Sequence, residues 1–242
     1  MRFIAYFIAA VVAASAQITQ VSYTTTANAY MTATPVSSFQ TEAPGITVTA
    51  GALLIGCARS SVSITGLSDG GSNTFTSIVE TANGAASAYV HCFYKENAVA
   101  GSNLRFTFTV SSGTYSGGMV AQYTGIETAS ALDLYRTALT TGGTLTTSSF
   151  TTAQANELVF AYTDIAQFST TWSATSPLTL IAQSDSNVLA FAEEFAASQL
   201  VGVTRSMTNT DATFSKVLIL MAFKGSSLAA PAVQKRSPVV FQ

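Results

Sequence analysis

The sequence predicts an all-β protein, an antiparallel β-sandwich of jelly-roll type with about ten to twelve strands built from two related halves. Alternation of apolar and polar residues dominates the chain, whereas helical periodicity is nearly absent. Turn residues separate the alternating runs at short intervals, and the pattern of the first half returns in the second. The same pattern allows one alternative, two tandem Ig-like sandwiches.

The composition indicates a chain with a large core and an almost uncharged surface. Hydrophobic residues make up 48% of the sequence and charged residues only 9%, against roughly 25% charged in an ordinary soluble domain. The net charge is −2 and there is no block of basic residues, which argues against a nucleic-acid partner. The high hydrophobicity argues against intrinsic disorder.

The N-terminus has the pattern of a secretory signal peptide over residues 1–16. Arg2 is followed by the apolar run Phe3–Ala14, and Ala14-Ser15-Ala16 offers small residues at a cleavage site before Gln17. The run is shorter than the ~20 residues that span a bilayer. We therefore expect a secreted protein, extracellular or at the cell surface, with no membrane span after cleavage.

The segment Gln17–Thr32 is rich in Thr and Tyr and contains no Gly or Pro. It predicts a strand that adds to the open sheet edge of a neighbouring copy, through Val21, Tyr23 and Thr25. The alternative is that this strand pairs within its own sheet.

Strand candidates follow in two matching series. The first series is Leu53–Arg59, Thr74–Glu80, Ala88–Tyr94, Leu104–Val110 and Gly118–Tyr123. The second series is Glu157–Thr163, Pro177–Gln183, Asn187–Glu193, Leu200–Met207 and Lys216–Phe223. This predicts pseudo-repeats over residues 45–125 and 150–224 within a sandwich domain of residues 17–224. Thr124–Ser149 is interpreted as a packed crossing rather than a linker, and residues 225–242 as a flexible tail.

The two cysteines, Cys57 and Cys92, are expected to form a disulfide, because an exported chain with an even number of cysteines favours pairing over two buried thiols. In the alignment of the halves, Cys57 falls opposite Tyr162 and Cys92 opposite Phe191. The second half is therefore expected to pack an aromatic pair where the first half is covalently joined.

Several short sequence segments have turn and core-strand patterns that are known from other proteins. They are Val48–Leu54, Leu67–Asp69 with Ser72–Thr76, Tyr123–Ile126 with Leu132-Asp133, and Thr151–Phe160. In these segments the chain resembles a loose group of exported bacterial β-sandwich surface domains, mostly uncharacterised. The resemblance implies a jelly-roll or Ig-like sandwich in an extracellular setting, and it supplies no catalytic residue.

The sequence contains few residues for catalysis and predicts no catalytic, metal or cofactor site. His91 is the single histidine, and on a strand it shares a face with Tyr89 and Phe93, so we expect a locally hydrogen-bonded side chain. Glu193 and Glu194 are adjacent, point to opposite faces of a strand, and cannot form the carboxylate pair of a glycosidase.

Other acidic residues are interpreted as structural. Asp69–Asn73 offers oxygen ligands for Ca²⁺, but it carries one carboxylate and is interpreted as a tight turn. Glu80, Glu96 and Asp164 end their predicted strands and are expected to be solvated.

The aromatic residues give one candidate ligand surface. Trp172 and Phe168 lie in a Ser- and Thr-rich stretch and are candidates for stacking on sugar rings. The alternative is that Trp172 anchors one end of the sandwich.

The predicted function is that of a secreted, non-enzymatic structural or surface-interaction protein that self-assembles, for example into a filament, through exchange of its N-terminal strand. The alternative is a carbohydrate-binding module or a glycan-directed hydrolase. The partners that the sequence leaves open are a second copy of the chain and a polysaccharide.

Overall fold

The computed structural model describes residues 17–25, 35–84, 88–165, 171–184 and 188–227. Within these ranges the chain forms antiparallel strands almost throughout, and the sheets do not close into a barrel. The predicted fold class, an antiparallel β-sandwich with two related halves, is therefore confirmed. The expected signal peptide of residues 1–16 lies outside the described residues, as does most of the expected tail.

The first half of the chain contributes strands that are rich in β-branched and aromatic residues. They are β1 (Thr19–Thr25), β2 (Val36–Gln40), β3 (Ile46–Val48), β4 (Leu53–Ser60), β5 (Ile64–Ser68), β6 (Thr76–Ala82), β7 (Tyr89–Lys95), β8 (Gly101–Leu104), β9 (Thr107–Gly113) and β10 (Gly117–Thr124).

Among the residues that the structure describes, the second half repeats this series with two fewer strands. They are β11 (Leu132–Thr140), β12 (Thr144–Thr146), β13 (Glu157–Ile165), β14 (Trp172–Ala174), β15 (Thr179–Gln183), β16 (Leu189–Ala196), β17 (Ser206–Asn209) and β18 (Lys216–Lys224).

Each half is a long hairpin wrapped around itself, with its first strand paired to its last. β1 pairs with β10, β2 with β9, β3 with β8 and β4 with β7. In the second half β11 pairs with β18, β12 with β17 and β13 with β16, while a bridge between Phe150 and Val203 replaces the β3–β8 pair. This nesting is the jelly-roll arrangement.

The nested pairs build a five-stranded and a three-stranded sheet in each half. The five-stranded sheets have the orders β1-β10-β4-β7-β6 and β11-β18-β13-β16-β15, so the same strands occupy the same places. The three-stranded sheets, β2-β9-β5 and β12-β17-β14, cover one face of each larger sheet. The remaining faces of the two five-stranded sheets pack against each other over a central core that both halves share.

Burial on both faces explains why β4 and β13 are so apolar. In β4, Leu53, Ile55 and Cys57 face the central core, while Leu54 and Ala58 face the outer core of the first half. The same alternation holds in β13 and β18 of the second half. The apolar sequence runs that recur in both halves thus form strands of the two inner sheets in a stack of four sheets.

Three details differ from the sequence prediction. The described residues form 18 strands rather than about ten to twelve, because short strands such as β3 and β8 have too few residues to show alternation. The expected crossing Thr124–Ser149 contains β11 and β12, so each repeat begins earlier than predicted. The expected strand Leu104–Val110 is divided between β8 and β9, although Phe106, Phe108 and Val110 do share a buried face.

Candidate functional site

The predicted disulfide joins β4 to β7 within the central core. Cys57 and Cys92 are directly paired residues on these neighbouring strands, and their sulfur atoms are 2.08 Å apart. At the equivalent place in the second half, Tyr162 pairs with Phe191, and their ring centroids are 5.5 Å apart. A covalent link and an aromatic contact therefore occupy matching positions, as the alignment of the halves predicted.

A buried ion pair connects the two halves at the ends of their central strands. The Nε atom of Arg59 on β4 lies 3.2 Å from Oδ1 of Asp164 on β13, and the two side chains are 3% and 0% exposed. Arg59 also donates from Nη1 to the Ile165 carbonyl at 3.1 Å. The Asn83 amide donates to Oδ2 of Asp164 at 2.6 Å.

Asp164 was expected as a solvated charge at a strand end, and this expectation is wrong. The strand ends beneath the opposite sheet rather than in water, so the carboxylate is fully buried. Burial raises the pKa of Asp164 to about 6, against the opposing effects of Arg59 and the Asn83 hydrogen bond. The pair thus links the two halves, but its attraction does not offset the whole free-energy cost of removing the carboxylate from water.

His91 links the edges of the two sheets of the first half. Its Nδ1 atom lies 2.6 Å from the Ile64 carbonyl on β5, and its Nε2 atom lies 2.7 Å from the Ser77 hydroxyl on β6. The ring also stacks on Phe93 with centroids 4.0 Å apart. The histidine is 8% exposed and locally hydrogen-bonded, as the sequence predicted.

The Ile64 carbonyl fixes the tautomer of His91. A carbonyl oxygen only accepts, so Nδ1 carries the proton and the neutral ring accepts from the Ser77 hydroxyl at Nε2. Glu80 accepts from the Ile64 amide at 2.8 Å and holds that segment in place. Burial lowers the pKa of His91, against the opposing effects of Ile64 and Glu80, which favours the neutral ring.

Glu193 and Glu194 point to opposite faces of β16, as predicted. Glu193 accepts from the Tyr123 hydroxyl at 2.6 Å and so forms a second polar link between the halves. Glu194 pairs with Arg205, whose Nη2 donates to its Oε1 at 2.6 Å. These two carboxylates therefore have separate structural partners and do not form a general acid–base pair.

Glu157 is a buried carboxyl group beside a second acid at the start of β13. Its Oε1 accepts from the Gln154 amide at 3.2 Å, and Asp133 accepts from the Ala153 amide at 2.8 Å. Burial and the nearby charge of Asp133 raise the pKa of Glu157 from 4.5 to about 7. Above that pH the two carboxylates repel each other.

The raised pKa of Glu157 gives a prediction for stability against pH. The folded state binds a proton more tightly than the unfolded state, so the stabilisation present below about pH 4.5 is lost as the pH rises through about 7. Urea unfolding is expected to show a higher free energy of unfolding at pH 5 than at pH 8, and Glu157→Gln should reduce this difference. The pKa of Asp164 is raised as well, so part of the stability difference between pH 5 and pH 8 should remain in this variant. An unchanged difference in Glu157→Gln would contradict the assignment.

The Asp69–Asn73 stretch is a closed turn, in agreement with the structural interpretation. The Asp69 carboxylate accepts from the Gly71 amide at 2.8 Å and from the Asn73 side chain at 2.6 Å. Gly70 has a φ of 70°, which glycine adopts without strain. Among the residues that the structure describes, no three His, Cys, Asp or Glu side chains are grouped as a metal site would require.

The candidate sugar-stacking residue Trp172 is buried. It is 3% exposed and packs in the outer core of the second half with Leu145, Phe150 and Met207. This is the anchoring position that the alternative interpretation gave it, and its ring offers no stacking surface to solvent. Phe168 lies outside the described residues.

The candidate strand-exchange residues lie on β1, which pairs within its own chain. Tyr23 pairs with Ala121 and Thr25 with Met119 on β10. Val21 and Tyr23 nevertheless remain 46% and 45% exposed. Among the described residues β1 lies at one edge of its sheet, so its outer backbone groups face away from β10.

The equivalent edge in the second half, β11, was missed because its sequence was interpreted as a crossing. β11 is outermost among the described strands of its sheet and exposes Tyr135 and Leu139, at 43% and 55%. An open groove of about 640 Å³ follows the strand, lined by Leu132–Thr137 and Ser148. Exposed large apolar residues on an outermost strand mark a surface for strand addition, and the sequence alone does not show that they are exposed.

Comparison with known proteins provides no assignment. No family model, curated protein or solved structure matches the chain.

In the described part of the chain, no helix has the length and apolar character to cross a bilayer.

Proposed function

We propose that the chain is a secreted, non-enzymatic structural or surface-interaction protein that associates with copies of itself through open sheet edges. The observation that carries the proposal is β11, a strand at the edge of its sheet among the described residues. It exposes Tyr135 and Leu139, and a groove about as long as a short strand runs beside it. Edges of this kind bind a further strand through main-chain hydrogen bonds.

The remaining features support an extracellular structural role. Residues 1–16 have the sequence pattern of a signal peptide, and disulfides such as Cys57–Cys92 persist mainly in oxidising compartments. Two of the buried acids, Asp164 and Glu194, have arginine partners, so their charges hold the fold together rather than face a cleft.

Sedimentation velocity over a range of concentrations tests self-association of the chain from Gln17 to Gln242. The expected result is a sedimentation coefficient that rises with concentration as copies add to one another. A single monomeric species at every concentration would contradict the proposal. Replacing the exposed, uncharged edge residue Leu139 with lysine should weaken association, since a charged edge resists strand addition.

The Ser77–His91 contact favours one second candidate, an ester hydrolase. Ser77 is exposed and donates to an unprotonated Nε2. In the reaction, Ser77 Oγ attacks the ester carbonyl carbon while its proton passes to Nε2. The alkoxy oxygen leaves with that proton, and water then cleaves the acyl-serine. The polysaccharide-directed alternatives lack a comparable observation, because Trp172 is buried.

A fluorophosphonate probe distinguishes this candidate from a structural role for His91. Hydrolase chemistry predicts labelling of Ser77 that is lost in Ser77→Ala and His91→Gln but kept in Ser72→Ala, a change at an exposed turn serine. Labelling that is absent from the unchanged protein, or that survives in Ser77→Ala, would rule the hydrolase out.

A further inference from the structure

The two outer strands β1 and β11 occupy equivalent places in the duplicated fold. Tyr23 pairs with Ala121 on β10, and Tyr135 pairs with Met221 at the matching point of β18. Both strands also carry a register shift near their starts, between Gln20 and Ser22 in β1 and between Leu132 and Leu134 in β11. The same exposed tyrosine and the same irregularity therefore recur on both edges.

These two edges lie on opposite sides of the molecule. Tyr123 of β10 donates to Glu193 of β16, and Tyr94 of β7 contacts Phe223 of β18 with ring centroids 5.8 Å apart. β10 therefore lies over β16, and β7 lies over β18. Because β1 lies beyond β10 and β11 lies beyond β18, β1 is on the side of β15 and β11 is on the side of β6.

The chemistry of β1 fits the groove along β11. The sequence of β1, Thr19–Thr25, is TQVSYTT and carries no charge, so it can lie beside Asp133 and Arg136 in the groove lining without repulsion. Its length is close to that of the lining segment Leu132–Thr137. At the end of β1, the Thr25 carbonyl already accepts from the Glu42 amide. A further strand would therefore pair with the residues of β1 that precede Thr25.

We propose that β1 of one copy adds to β11 of the next copy, while each strand keeps its place in its own sheet. This inference rests on the proposed self-association and names the surfaces that produce it. Because the two edges are different strands on opposite sides, the contact is head-to-tail and repeats from copy to copy, which generates a filament when the rotation between copies does not close into a ring. Antiparallel pairing would bring Tyr23 and Tyr135 onto the same face of a continuous sheet, since both pair with residues of the central core.

Lysine substitutions that block one edge at a time test the head-to-tail contact in the chain from Gln17 to Gln242. Val21→Lys with Tyr23→Lys blocks β1, and Tyr135→Lys with Leu139→Lys blocks β11. The matched control is Val201→Lys, which places a lysine at an apolar residue that is 69% exposed and outside both strands. Masses are measured by light scattering, and circular dichroism checks that each variant folds.

Mixing the two blocked variants gives the decisive outcome. Each blocked variant alone should remain at the monomer mass, and their equimolar mixture should stop at twice that mass, because it has one usable β1 and one usable β11. The unchanged chain and Val201→Lys should form larger assemblies. Dimers of either blocked variant alone, or a mixture that stays monomeric, would overturn the head-to-tail contact.

The same series separates this inference from the proposed function. If the unchanged chain is monomeric, self-association itself fails and the inference fails with it. If the unchanged chain assembles and both blocked variants assemble equally well, self-association survives and only the β1–β11 contact is wrong.

Discussion

Replacing Asp164 with leucine is expected to lower the free energy of unfolding by about 3–5 kcal/mol, because the change leaves the buried Arg59 guanidinium without its carboxylate. Arg59 donates to the Ile165 carbonyl of the other half, so the loss should weaken the packing between the halves. Urea denaturation of the purified variant measures the effect.

Two controls show whether the loss comes from an uncompensated charge. The double variant Arg59→Met with Asp164→Leu should recover most of the stability, since replacing both members of a buried ion pair is often neutral or better. Glu127→Gln, which breaks a pair with Lys224 that is partly open to solvent at 3.7 Å, should cost at most about 1 kcal/mol. A cost for Asp164→Leu no larger than that of Glu127→Gln would contradict the assigned role.

Removing the disulfide by the double change Cys57→Ala and Cys92→Ala is expected to cost about 3–4 kcal/mol, on the view that the link restricts the unfolded chain. The two cysteines are 35 positions apart in the sequence. Equilibrium unfolding with and without a reductant measures the cost.

A matched variant tests the aromatic counterpart in the second half. Phe191→Ala removes the ring that packs on Tyr162 at the equivalent position, and deleting a buried phenylalanine costs about 3–5 kcal/mol. Comparable losses in the two halves would support the matching roles of the link and the aromatic pair. A cysteine double variant as stable as the unchanged protein would contradict the structural role of the disulfide.

The duplicated core strands were predictable from the sequence because their residues are constrained on both faces. Leu53–Ser60 and Glu157–Ile165 are buried throughout, so their apolar runs stand out and can be aligned with each other. That alignment places Cys57 with Tyr162 and Cys92 with Phe191 from the sequence alone. The disulfide is predicted on a different ground, the even number of cysteines in a chain expected to be exported.

The contacts between the halves were not predictable, because they depend on which sheet faces pack together. Arg59 and Asp164 are each a single charge at a strand end, and such charges normally meet water. Nothing in the local sequence indicates that the opposite sheet covers them. Trp172 was ambiguous for the same reason, since a tryptophan in a polar stretch suits either a surface or a buried anchor.

The outer strands were the least visible part of the fold. β11 exposes every second residue over its second half, from Tyr135 to Leu139, so its apolar residues do not form one clear stripe. β11 is recognised as a strand only from its pairing with β18 and from its correspondence to β1 in the first half. The candidate self-association surface therefore needed the three-dimensional arrangement.

The central claim is that two jelly rolls share one core and so hold β1 and β11 on opposite sides of a single rigid body. Differential scanning calorimetry of the chain from Gln17 to Gln242 tests this most directly, at a concentration where the chain is monomeric. A shared core predicts one transition whose calorimetric and van't Hoff enthalpies agree. Two separate transitions, one for each half, would contradict the claim.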